Sequence, residues 1–133
     1  MEIATEDLTP LRWEQEIDHL IEFLQDKGKD ELMVSYGWGC DLAGDDLYQE
    51  VPLLLSHLHE WIKQSMASGI FTFGESILHI YSQDHEISVD LGDEGDIHVT
   101  VENKKLTQEV ASGWTARGIT YYEVVSPLRE TIL

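Results

Sequence analysis

The chain has 133 residues and a formal net charge of −18 at pH 7, from 26 acidic and 8 basic residues. Residues 30–103 hold fifteen of the acidic residues and only one basic residue, Lys63. An electrostatic field of this size and sign repels nucleic acid and anionic membranes, and it attracts cationic partners. We therefore expect a protein that binds neither nucleic acid nor membrane, and whose partner is basic.

The composition predicts a single folded domain over residues 1–133. The hydrophobic fraction of 42%, with four Trp and five Tyr, is too high for a disordered chain. No apolar run approaches the ~20 residues of a membrane span, and the first residues lack the basic and apolar regions of a signal peptide. The single cysteine, Cys40, excludes an internal disulfide. We expect a cytoplasmic protein that is monomeric when free, because dense like charge opposes self-association.

The segment from Thr9 to Lys27 is predicted to be the first helix. Thr9 is a favourable N-cap, Pro10 suits the first helical position, and Gly28 suits the residue after the end. The side opposite the apolar stripe carries a line of four carboxylates, called here the helix ridge: Glu14, Asp18, Glu22 and Asp26. Like charges four residues apart destabilise a helix by about 0.2–0.5 kcal/mol per pair. The ridge is therefore one candidate binding surface.

A strand, a loop and a second helix are predicted between residues 31 and 68. They are the strand Glu31–Tyr36, the loop Asp41–Asp46, which follows a glycine-rich turn at residues 37–39, and the helix Pro52–Ser68. In the preferred interpretation Pro52 begins this helix. In the alternative, Asp45 or Asp46 caps an earlier start and Pro52 forms a kink.

Alternation of apolar and polar residues predicts four consecutive strands after Gly69. Their ranges are Ile70–Phe73, Ser76–Ser82, Glu86–Leu91 and Asp96–Glu102. The outer faces of the last two strands carry Glu86, Ser88 and Asp90, then Asp96, His98, Thr100 and Glu102. A loop of three residues would set Asp90 opposite Asp96, and a loop of five would set it opposite His98. The outer face is acidic in both registers.

A third helix is predicted from Lys105 or Leu106 to Arg117, followed by a strand at Ile119–Val125 and a tail that begins at residues 126–127. This order predicts an α+β fold. We expect an antiparallel sheet of about four to six strands with two or three helices packed on one face and the other face open to water.

The sequence contains no motif that indicates a catalytic site. A phosphate-binding glycine loop, GxSxG, CxxC and HExxH are all missing. The carboxylates of Asp90, Asp93, Glu94 and Asp96 surround a turn but lack the ligand spacing of an EF-hand, and the acids of the loop Asp41–Asp46 are no closer to it. We therefore predict no enzymatic activity, no cofactor and no metal ion.

The predicted partner-binding surface combines one aromatic residue with acids on loops and strands. Trp38 lies between two glycines, where no periodic face requires it, and Trp is enriched among the residues that dominate interfaces. Strands and tight turns also hold side chains more rigidly than an exposed helix, so less entropy is lost on binding. The predicted set is Trp38, Asp41, Asp45, Asp46, Glu86, Asp90, Asp93, Glu94 and Asp96.

Residues 71–102 read FTFGESILHIYSQDHEISVDLGDEGDIHVTVE, and a helix containing Trp114 and a strand that begins at Ile119 follow. In overall layout and charge the chain resembles the immunity proteins of bacterial polymorphic toxin systems, including contact-dependent growth inhibition. The resemblance implies a cytosolic protein that binds one cognate toxin domain, often a basic nuclease, and blocks its active site or substrate channel.

Two other functions remain open from the sequence. An acidic protein can mimic nucleic acid and inhibit a DNA-binding protein, since the same charge attracts either target. The acidic loops could also form the centre of a small metal-dependent enzyme. A steep salt dependence of binding would separate toxin inhibition and nucleic-acid mimicry from binding through a mostly apolar interface. Metal content after extensive dialysis would separate the enzyme.

Overall fold

The computed structural model describes residues 1–125, and these form one antiparallel sheet of seven strands with three α-helices. The strands are β1 Glu2–Thr5, β2 Glu31–Tyr36, β3 Val51–Leu54, β4 Leu78–Ser82, β5 Ile87–Leu91, β6 Ile97–Val101 and β7 Tyr121–Val124. The helices are α1 Pro10–Asp26, α2 Leu58–Ala67 and α3 Lys104–Ala116. The predicted α+β class is confirmed, although seven strands exceed the expected four to six. The predicted tail from residue 126 lies outside the described residues.

Local sequence signals set both ends of α1 as predicted. The Thr9 hydroxyl accepts a hydrogen bond from the backbone N–H of Arg12 at 3.3 Å. Gly28 follows the helix with a φ of +71°, which only glycine adopts without strain. The buried apolar side chains of α1 are Trp13, Ile17, Leu20 and Leu24. Full burial of each such side chain stabilises the fold by about 1.5–3 kcal/mol.

Two predicted elements are wrong and two strands, β1 and β3, were missed. The second helix begins at Leu58, because residues 51–54 form the edge strand β3, where Pro52 is tolerated. The segment Ile70–Phe73 is not a strand. Its apolar residues pack in or against the core, and the ring of Phe71 stacks on Trp13 with 5.8 Å between centroids. The other missed strand, β1, pairs with both β6 and β7.

The sheet has the strand order β3-β2-β4-β5-β6-β1-β7, and one of its faces packs against the helices. Alternate strand residues such as Val34, Ile80 and Val89 are at most 1% exposed on that face. The pairing of β5 with β6 sets Asp90 opposite His98, which is the five-residue loop of the two predicted registers. Within residues 1–125, no helix combines the length and apolar character needed to span a membrane.

The opposite side of the sheet is called here the open face. None of the seven described strands contains a Lys or an Arg. The paired Lys and Arg side chains of the described chain instead lie beside helices or loops, as in the contacts of Lys27 with Glu109 and of Arg117 with Glu16. Any positive charge on the outward strand positions therefore comes from histidine.

Candidate acidic binding face

The middle of the open face carries one continuous row of side chains across six strands. The pairings place these residues side by side in the order Ser35, His79, Asp90, His98, Ala4 and Tyr122. The two histidines of this row lie on either side of Asp90, the one carboxylate among the six residues, and both contact acids of the face. Their hydrogen bonds determine how much of that acidity is free for a partner.

His79 and Asp90 form the first pair in this row. His79 Nδ1 lies 2.6 Å from Asp90 Oδ1, and this hydrogen bond raises the pKa of His79. The ring lies against Gly37, where an added Cβ would come 2.5 Å from Nε2. The ring of Tyr48 packs on His79 with 5.8 Å between centroids. Asp90 is thus engaged by a hydrogen bond with His79 and is only partly available to a cationic partner.

His98 is held by two carboxylates. Its Nε2 lies 2.7 Å from Asp96 Oδ2, and its Nδ1 lies 2.7 Å from Glu2 Oε2. Asp96 first and Glu2 second raise the pKa of His98 to about 9, against the opposing effect of burial. At neutral pH His98 is therefore an imidazolium that donates from both nitrogens.

Asp96 differs from its expected place on an exposed surface. The residue is only 6% exposed, so it cannot be a main contact for a partner. Burial acts to raise the pKa of Asp96, but the His98 imidazolium and the nearby backbone N–H groups of Asp96 and Glu94 outweigh it, so the pKa is lowered. Its Oδ1 is buried and has no hydrogen-bond partner among the described residues. Asp96 is thus an internal support for His98.

The other predicted site residues divide into paired and unpaired groups. Glu86 is half-buried, with its Oε2 2.7 Å from Lys29 Nζ, so its charge is compensated. Asp93 and Glu94 lie on the turn between β5 and β6, and no ion pair engages either within the described chain.

The loop acids Asp41, Asp45 and Asp46 are exposed between β2 and β3. Trp38 is 66% exposed in the same connection, which departs from ordinary core burial of Trp.

The helix ridge is exposed on α1, within the helical layer and away from the open face. Only weak contacts engage it, such as His59 Nδ1 at 3.3 Å from Asp18 Oδ1. One residue of α1 behaves differently. Glu16 is 4% exposed and accepts two hydrogen bonds from Arg117, each 2.7 Å long. The ridge and the open face are therefore separate anionic surfaces.

Sequence reasoning missed four residues that belong to this face. Tyr122 is 53% exposed, and its pKa is raised by burial and then by four surrounding acids, Asp96, Glu94, Asp7 and Glu2. Tyr48 is 58% exposed and has a φ of +62°, an uncommon conformation for a residue other than glycine. Glu2, Asp7 and Tyr122 reach the face through β1 and β7. No local pattern pairs those strands, so no signal in the sequence places these residues together.

The single cysteine takes no part in this face. Cys40 is buried and its thiol donates a hydrogen bond to the carbonyl of Ile77 at 3.4 Å. Burial raises the pKa of the thiol. A neutral buried thiol is a packing group and a poor nucleophile at neutral pH.

No protein-family model, curated protein or solved structure matches the chain. The chain is therefore described by its fold and by the chemistry of its surface. The chain is an α+β domain whose seven-stranded sheet has one open face, with exposed aromatic residues, carboxylates, and histidine as its cation.

Proposed function

We propose that the protein is a toxin-neutralising immunity protein. It binds a basic cognate toxin domain in the cytoplasm, with a nuclease as the leading case, and blocks its activity through acidic surfaces. The observation that carries the proposal is the open face, whose strands contain no Lys or Arg and whose rim carries uncompensated acids. The resemblance in layout and charge to immunity proteins of polymorphic toxin systems points the same way.

The physics of such a complex follows from the target. A nuclease binds phosphates with Lys and Arg side chains, and an acidic surface can bind the same side chains. Charge of this kind mainly raises the association rate, whereas buried aromatic anchors slow dissociation. Trp38 and Tyr48 are the exposed aromatic residues in the loop connection beside the acids Asp45 and Asp46. Charge steers the partner, and the aromatic rings hold it.

The test uses two variants with equal change of charge. The first neutralises unpaired acids of the proposed surface: Asp45→Asn, Asp46→Asn, Asp93→Asn and Glu94→Gln. The second neutralises the helix ridge: Glu14→Gln, Asp18→Asn, Glu22→Gln and Asp26→Asn. Asp96 stays intact in both because it is buried and paired with His98. The probe is the toxin domain that we expect the adjacent upstream gene to encode as the C-terminal part of a large protein.

We expect the first variant to lose protection of toxin-expressing cells and to bind with a slower on-rate, whereas the ridge variant keeps both. Raising salt should slow association of the wild type more than it speeds dissociation. Equal loss in the two variants would mean that a diffuse field acts and no particular surface does. An on-rate indifferent to salt would remove charge as the basis of recognition.

The same acidic face supports a second candidate, an acidic mimic of nucleic acid that inhibits a DNA-binding protein. The two functions differ in their target. A mimic competes with DNA for a regulatory or restriction protein and gives no protection against the adjacent toxin domain. The growth assay therefore distinguishes them directly.

A further inference from the structure

We propose that Asp7, Glu94 and Asp96 form a binding site for a hard divalent cation of the calcium class, at the junction of the β5–β6 loop with the segment before α1. Each of the three residues offers one carboxylate oxygen, and these oxygens all lie within 4.8 Å of one another. Asp7 and Glu94 are exposed, while Asp96 is buried. This site does not depend on the proposed toxin binding.

The oxygens are close enough together for one Ca²⁺ ion to contact all three. Oxygen ligands lie at about 2.3–2.6 Å from Ca²⁺, so two ligands on opposite sides of the ion are about 5 Å apart. Mg²⁺ demands a near-ideal octahedron at about 2.0–2.1 Å and gives up its waters reluctantly, so protein carboxylates alone hold it less readily than Ca²⁺. Three carboxylates also provide the charge that a hard cation prefers, and water completes the coordination.

Asp96 supplies an observation that is independent of the clustering. Its side chain is 8% exposed, and Oδ2 accepts the hydrogen bond from His98 Nε2. Oδ1 is buried, and no group in the described residues hydrogen-bonds to it. A buried acceptor without a partner is energetically costly, and more so when it is charged. A cation beside Oδ1 removes that cost and offsets the repulsion between Asp96 and the two exposed acids.

Backbone contacts hold the three acids in place before any ion arrives. The backbone N–H of Leu8 donates to the carbonyl of Gly95 at 3.0 Å, which ties the segment containing Asp7 to the loop containing Glu94. Gly92 gives Asp96 its room, since a Cβ at that residue would overlap Oδ1. The hydrogen bonds between Glu2 and His98 and between His98 and Asp96 fix the orientation of the Asp96 carboxylate. Groups behind a metal ligand commonly orient it in this way.

The experiment is calorimetric titration of the metal-free protein with CaCl₂, beside thermal unfolding with and without CaCl₂. Both are run at a salt concentration that suppresses diffuse counter-ion binding. The variants are Asp7→Asn and Glu94→Gln, which change exposed ligands without disturbing the core. The matched control is Asp45→Asn, an exposed acid on a different loop. MgCl₂ is the comparison ion.

We expect one saturable Ca²⁺ site that raises the melting temperature, with a weaker response to Mg²⁺. Asp7→Asn and Glu94→Gln should each reduce Ca²⁺ affinity about tenfold or more, and Asp45→Asn should leave it unchanged. Absence of a saturable heat and of a melting shift overturns the proposal. So does equal weakening by all three variants, because that result means diffuse attraction to an acidic protein.

Discussion

The ion-paired His98 makes the stability of the fold depend on pH in a calculable direction. Its pKa in the folded protein is raised to about 9 from an ordinary 6.5, chiefly by Asp96. A histidine whose pKa rises on folding binds its proton more tightly in the native state. Its contribution is therefore complete below about pH 6.5 and is lost as the pH rises through about 9.

The size of this contribution follows from the shift. One pKa unit corresponds to about 1.4 kcal/mol, so the shift is worth about 3 kcal/mol, and about 2 kcal/mol after allowance for the 26% exposure of the His98 side chain. Asp96 makes the stability of the fold depend on pH in the acidic range. Its pKa is lowered, so its contribution is lost as the pH falls below its ordinary value of 3.8.

The assay is urea unfolding in calcium-free buffer of constant ionic strength, from about pH 6 to about pH 9.5. The free-energy difference between the wild type and His98→Gln should shrink by about 2 kcal/mol across that range. His79 titrates in both proteins and cancels in the difference. The control is His57→Gln, which removes an exposed histidine of the helical layer. A difference that is constant with pH, or that grows, refutes the assignment of this effect to His98.

Two further predictions concern single contacts. Arg117→Met leaves the buried Glu16 carboxylate without its partner and should cost about 3 kcal/mol in urea unfolding; adding Glu16→Gln should recover part of that loss, and full additivity would contradict the pairing. Gly37→Ala forces a methyl group against the ring of His79 and should lower stability by about 1–3 kcal/mol, whereas Gly44→Ala, with open space around it, should be nearly neutral. Equal effects of the two glycine substitutions would contradict the contact with His79.

Elements with a strong local period were predictable from the sequence. The strand β2 has the predicted bounds Glu31–Tyr36, and both ends of α1 lie within one residue of the prediction. Helix caps and strand alternation depend on residues that are close together in the sequence, so both could be recognised there. The strands β1 and β3 are four residues each and too short for a period. The apolar run of residues 51–55 fits a strand or a helix equally, and tertiary pairing with β2 decides between them.

The acidic face was predictable in sign and less so in detail. Alternation placed Asp90 outward correctly, because its strand neighbours Val89 and Leu91 are buried. The same rule put Asp96 on the side of His98, where their contact lies, but it did not show that neighbouring residues bury Asp96 there. Local patterns also cannot show that Asp7 lies near Glu94. The two residues are far apart in the sequence, and the pairing of β1 with β6 brings their segments together.

The position of β1 has a consequence for how the chain folds as it is made. β1 is synthesised before both of its neighbours, β6 and β7, which lie at residues 97–101 and 121–124. Until they emerge, β1 has no partner, and pairing across so long a separation is slow. An unpaired strand is a template for aggregation, and charged side chains beside it discourage wrong pairing. The acids Glu2, Glu6 and Asp7 stand in and beside this strand, so the acidity of the chain also protects its unfinished forms.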